Sequence, residues 1–238
     1  MTDSDYRNFL VDLRTAADPQ YLAFIRRIIP NVDPAFGVRS PQMTKIAKNL
    51  LKTYDTESAL ERFYQAANFG NHHEELIVQG RVVGSIQYET ADALIENIDR
   101  YLPRIRNWAL CDSFVSNLRP QLAQFENECW QQIPAWLAHT NPWIIRFGAV
   151  LINSYFCQAE KIDAIFERVA PIQSDEYYVN MGLAWMLSTL YFADKTRVLQ
   201  LLQDRIQNDW VYNKALQKIR ESQKIDQTER DFMKTLKR

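Results

Sequence analysis

Glycine is scarce, with six in 238 residues, and no stretch alternates apolar and polar residues between turn signals. That leaves little material for hairpins and excludes a glycine-rich loop that would cradle phosphates. Cysteine and histidine are scarcer still, three of each. Cys111, Cys129 and Cys157 are odd in number and lack metal-ligand spacing, which fits a reducing compartment without a disulfide frame. No apolar run approaches the roughly 18 residues of a membrane span. The opening MTDSDYRNFLVDLR is polar and acidic, neither a secretory signal nor a transit peptide. A cytoplasmic protein is expected, with no membrane partner and neither metal nor cofactor. Charge of one sign is not in excess either, at a net −1. Any affinity for nucleic acid must come from a local basic patch.

What the chain does have is apolar residues at helical spacing, as in Phe9, Leu10 and Leu13 or Leu94, Ile95 and Ile98. Helix starts are clearly punctuated. Asp18-Pro19, Ser40-Pro41 and Asn141-Pro142 each set a capping side chain before a proline at the first helical position, and Thr90 precedes ADALIENI. Candidate caps at Ser40, Asn71, Asn107, Asn141, Ser174 and Asn208 are separated by 31, 36, 34, 33 and 34 residues. Each interval has room for a second helix, such as Thr90 to Tyr101 or Ala159 to Ala170. A period near 34 residues holding two helices indicates an all-α chain, an α-solenoid in which each repeat buries its apolar face on the next. The tetratricopeptide pattern is absent. The expectation is about six HEAT-like repeats forming a single domain over residues 1–238 with a concave binding face; an irregular helical bundle is the alternative.

The repeat phase puts Lys45, Leu76, Asp112, Arg146, Val179 and Asn213 in one stripe, five positions after each cap. Asp112 and Arg146 then fall level on successive repeats. An acid in the apolar run NWALCDSF is costly unless paired or used. Trp108, one turn earlier, shares its face. Two readings of Asp112 and Arg146 stand at this point: a salt bridge holding repeats in register, or an acid and a guanidinium displayed in a cleft. Trp108, Trp143 and Trp185 are either core packing or cleft walls. Cys111 points to another face than Asp112 and reads as core. In NHHEEL, His72 and Glu75 could meet, but no second histidine or cysteine cluster exists to complete a metal site; this reads as a solvated first turn, its acids favoured by the helix dipole. Arg39, Lys45, Lys48, Arg81, Arg146 and Lys214 are either ordinary surface or phosphate contacts that grip a backbone without reading sequence.

These residues resemble the AlkD-type DNA alkylation repair family, the HEAT-like repeat DNA glycosylases. The likeness runs over most of the chain. FGVRSP (Phe36 to Pro41) is similar to the family's aromatic-Gly-x-x-Thr/Ser-Pro helix entry. NWALCDSF matches its tryptophan and catalytic aspartate at Trp108 and Asp112, NPWIIRFGAVLI its arginine at Arg146, and SDEYYVNMGLAWML an aromatic pair at Tyr177 and Tyr178 and the second cleft tryptophan at Trp185. Asn107 stands where members often carry an aromatic residue, and no lysine occurs around Asn180 and Met181.

The resemblance implies hydrolysis of the N-glycosidic bond of cationic N3- and N7-alkylated purines in duplex DNA by a monofunctional glycosylase, expected as a monomer. Asp112 would stabilise the oxocarbenium-like sugar and place the water, held by Arg146, while Trp108 and Trp185 pack against the sugar and backbone. Arg39, Lys45, Lys48, Arg81, Tyr177, Tyr178 and Lys214 would contact DNA. Two other readings remain: a non-catalytic HEAT-like protein that recognises DNA structure, and a solenoid that binds another protein. The enzyme requires Asp112 to be reachable by solvent in a groove whose rims carry arginine or lysine.

Overall fold

A computed structural model describes residues 2–54, 56–65 and 72–238. Among them the backbone forms fifteen α-helices and no sheet; strands meet only at an isolated antiparallel bridge between Ala17 and Val38. The chain divides into two compact units, residues 1–129 and 130–238. The first contains α1 (Asp3–Thr15), α2 (Pro19–Ile28), α3 (Ser40–Thr53), α4 (Thr56–Gln65), α5 (His73–Ser85), α6 (Ala91–Tyr101), α7 (Trp108–Asn117) and α8 (Arg119–Gln124). The boundary falls inside α9 (Glu126–Leu137). The second contains α10 (Pro142–Tyr155), α11 (Ile162–Val169), α12 (Tyr177–Leu190), α13 (Lys195–Arg205), α14 (Asp209–Glu221) and α15 (Gln227–Thr235).

Within each unit alternate helices lie side by side, as in an α-solenoid: α3, α5 and α7 in the first, α10, α12 and α14 in the second. The middle member of each trio is walled in by its neighbours. Accordingly α5 is buried from His73 to Gly84 apart from Arg81, and α12 buries Val179, Asn180, Gly182 to Ala184 and Met186 to Ser188. A helix enclosed in this way needs apolar residues all round, so the one-sided pattern of a surface helix is weak in both. At Gly84 of α5 even a methyl group would lie 2.4 Å from the Asn117 carbonyl oxygen of α7.

The six helices of the two trios begin after N-caps at Arg39, His72, Asn107, Asn141, Glu176 and Asn208, at intervals of 33, 35, 34, 35 and 32 residues. Asn107, Asn141 and Asn208 cap with their side-chain oxygens as their sequence contexts require, and so do Asp18 and Thr90. The cap expected at Ser40 is one residue early, on Arg39, with Ser40 itself the first helical residue. The one expected at Ser174 moves to Glu176, whose N–H donates to the Ser174 hydroxyl at 3.1 Å. Asn71 lies outside the described residues. These shifts change the stripe. Asp112, Arg146 and Asn213 keep the fifth helical position, but Lys45 moves to the sixth, and Leu76 and Val179 to the fourth and third, where both are fully buried.

Candidate functional site

In the first unit the site is organised by the start of α7. Asn107 is completely buried, and its side-chain oxygen accepts from the Leu110 N–H at 3.0 Å. That satisfies one of the amides a helix start leaves open, and an aromatic residue there could not do it. Trp108 follows at the first helical position, half-buried against the apolar cluster of Ile25, Ile29 and Val32. Its indole N–H donates to the Ile28 carbonyl oxygen at 3.1 Å. One turn on, Asp112 is half-exposed, while Leu110, Cys111, Phe114 and Val115 are buried. Cys111 is therefore core, as its helix phase indicated. The acid sits on the one face of α7 that the core leaves open.

Cations of the first unit differ in how they are held. Arg39 pairs with Asp18 at 2.9 Å and lies 4.8 Å above the Tyr21 ring. Lys45 and Lys48 are exposed on α3, and Lys45 lines a cleft of about 390 Å³ with Asp12. Arg81 reaches from α5 to α3, donating to the hydroxyls of Ser40 (2.9 Å) and Thr44. Half-burial pushes its guanidinium pKa below the ordinary value.

The NHHEEL reading needs correction. His73, Glu74 and Glu75 are buried, not a solvated turn. Glu74 accepts three backbone N–H bonds from the FGVRSP segment: Phe36 at 2.9 Å, Gly37 at 2.7 Å and Val38 at 3.1 Å. Glu75 accepts from the His72 N–H at 2.5 Å, from His72 Nδ1 at 2.9 Å, and from the Tyr6 hydroxyl of α1. His72 stacks on Phe36 with ring centroids 4.1 Å apart. Gly37 has φ +81°, and a side chain there would strike Leu22 and the Asp18 carbonyl. The two motifs are thus halves of one contact: the segment before α3 presents N–H groups, and the start of α5 presents carboxylates that its dipole favours. Among the described residues, no three His, Cys, Asp or Glu side chains gather as a metal would need.

In the second unit Arg146 is buried on α10, and its Nη1 donates to the Tyr178 carbonyl oxygen of α12 at 2.9 Å. An aromatic row starts beside it. Trp143 packs on Tyr178 at 5.2 Å, Tyr178 on Tyr177 at 5.0 Å, and Tyr177 on Trp210 of α14 at 5.7 Å. Lys214 stands 5.5 Å above the Trp210 ring and donates to Gln217 at 2.7 Å. The row is open to solvent: Tyr177 is 54% exposed and Trp210 38%, as is Trp185 further along α12. Trp210 is the member that the sequence reading missed. Its signal was present, because Asn141-Pro142-Trp143 and Asn208-Asp209-Trp210 place a tryptophan at the same distance from a capping asparagine.

Stacked helix pairs, a half-exposed acid beside a tryptophan, and an open aromatic row with cations define an all-α repeat protein with surfaces suited to a phosphate-bearing polymer. A model of the family described as DNA alkylation repair enzyme matches residues 10–219, and the chain belongs to that family. Its place is therefore in the repair of alkylated DNA. No curated protein matches the chain. The matched region begins within α1 and ends within α14, so α15 lies beyond it. No helix among the described residues is long and apolar enough to cross a membrane.

Proposed function

We propose that this protein is a monofunctional DNA glycosylase that removes cationic N3- and N7-alkylated purines from duplex DNA, acting as a single domain and as a monomer. The observation that carries this reading is Asp112, half-buried and one turn after Trp108, on the one face of α7 that the core leaves open. Alkylation makes the purine a cation, so breaking the C1′–N bond returns the electron pair to the base and neutralises it. A general acid is not needed. What remains is positive charge developing on the sugar, and water to capture it. A carboxylate serves both needs: it stabilises the oxocarbenium-like sugar and accepts the proton of the water whose oxygen bonds C1′. Trp108, pinned by its bond to Ile28, gives the sugar a rigid wall.

The second unit contributes grip in this reading. Tyr177, Tyr178, Trp185 and Lys214 contact the DNA backbone and sugar faces, as do Arg39, Lys45, Lys48 and Arg81 from the first unit, while the buried Arg146 supports this surface from beneath by holding the Tyr178 carbonyl. Phosphate contacts of this kind fix register without reading bases.

The test is release of N7-methylguanine and N3-methyladenine from alkylated duplex DNA by wild type and Asp112→Asn. Loss of preorganised charge stabilisation is expected to slow release by about a hundredfold or more. Equal release by both proteins removes Asp112 from the mechanism. Salt-sensitive DNA binding with no release by either identifies a non-catalytic DNA-binding protein instead, and absence of binding even at low salt points to a protein partner.

A further inference from the structure

A cleft of about 370 Å³ lies between α14 and α15. Lys214, Arg220, Lys234 and Lys237 line it, and among the described residues no carboxylate does. The buried Nε of Arg220 has no hydrogen-bond partner. Two acids stand close by: Asp231 holds Lys234 at 2.7 Å on the same helix, and Glu221 accepts from the lining Gln217 at 2.7 Å. The cations are also held in place. The Asn213 side chain pairs with both the N–H and the carbonyl of Arg238 at 3.0 Å each, and the Tyr212 hydroxyl donates to the Leu236 carbonyl at 2.9 Å. Lys237 is thus set between two anchored residues.

A cleft walled by cations and open to water suits the oxygens of phosphate, not an apolar ligand. It is also continuous with the aromatic row. Trp210 lines the cleft and packs on Tyr177, which packs on Tyr178, whose carbonyl holds Arg146. We propose that the α14–α15 cleft is a second phosphate-binding site, which takes the backbone of duplex DNA flanking the lesion. This rests on the DNA-binding part of the function proposed above.

The test is DNA affinity against salt for wild type, Lys234→Ala/Lys237→Ala and Lys234→Arg/Lys237→Arg. Two lost phosphate contacts should reduce the slope of log affinity against log salt by about two and weaken binding roughly tenfold near 100 mM salt. The arginine pair should behave as wild type. Single-turnover excision at saturating protein should be unchanged. An unchanged slope in the alanine pair, with wild type still binding in a salt-dependent way, overturns the second site and leaves the glycosylase reading intact. Absence of wild-type DNA binding overturns both. Retention of inorganic phosphate by wild type but not by the alanine pair, with equal DNA slopes, makes the cleft a small-anion site and overturns the DNA assignment.

Discussion

The Trp108 indole N–H donates to the carbonyl oxygen of Ile28, 80 residues earlier in the chain, at 3.1 Å. Ile28 is the last residue of α2, so the bond satisfies a carbonyl that a helix end leaves without an internal partner. It fixes the ring that stands one turn before Asp112. Trp108→Phe keeps an aromatic wall but loses the bond, and should cost about 1 kcal/mol in urea denaturation. Trp108→Ala should cost more, about 2 kcal/mol or above, since a half-buried ring is removed. If the ring also orients the sugar, excision falls further in the alanine variant than its stability loss explains.

Glu74 offers a separate test of how the segment before α3 is held. Its carboxylate faces three N–H donors, and an amide in its place would turn its own NH₂ group toward one of them. Glu74→Gln should therefore destabilise by about 2–3 kcal/mol. In thermal unfolding that is a fall of roughly 4–12 °C for a chain of this size.

Gly84 of α5 and Gly182 of α12 should behave oppositely. A methyl at Gly84 would lie 2.4 Å from the Asn117 carbonyl oxygen, which is backbone and cannot step aside. Gly84→Ala should force α5 from α7 at a cost of about 2–3 kcal/mol, and disturb the helix that carries Asp112. At Gly182 the nearest atom would be Arg146 Cγ at 3.5 Å, an ordinary contact. Gly182→Ala should be neutral or stabilising by up to about 1 kcal/mol, from helix propensity. Parallel denaturation curves decide both.

Stability should depend on pH through His73. Burial lowers its pKa from 6.5 to about 4, with the charge of Glu74 opposing and that of Arg106 adding. Between those values the unfolded chain binds a proton that the folded chain refuses. Stability is therefore undiminished above pH 6.5 and declines as pH falls toward 4, by up to roughly 3 kcal/mol. His73→Leu removes this titration. The difference between wild type and variant, followed by denaturation from neutral pH downward, should be flat above pH 6.5 and shift in the variant's favour below it.

Much of this fold was legible in the sequence because helix starts are local chemistry. An asparagine or aspartate that caps an amide two or three residues on writes its role into neighbouring positions, hence the agreement at Asp18, Thr90, Asn107, Asn141 and Asn208. Glu176 and Arg39 carry no side-chain cap bond, so nothing local marked them. The acids of NHHEEL were misjudged for the complementary reason. The partners of Glu74, Phe36 to Val38, are 36 to 38 residues away, and Tyr6, which donates to Glu75, is 69 away; no periodicity shows that distant segments will cover a helix start. Asp112 stood out because an acid in an apolar run is conspicuous, and its half-exposure is what the helix phase of Trp108 and Cys111 requires. Trp210 did not, since a tryptophan near a helix start is conspicuous only beside the equivalent one at Trp143.

The three N–H groups collected by Glu74 also bear on how the molecule breathes. Phe36, Gly37 and Val38 belong to no helix, yet Gly37 and Val38 donate to a carboxylate that has no contact with water. Their amide protons can exchange with deuterium only when α5 lets go of this segment, an opening that costs far more than the fraying of an ordinary loop. They should persist alongside those of the central helices, so that a stretch of irregular chain reports on the cooperative opening of the first unit.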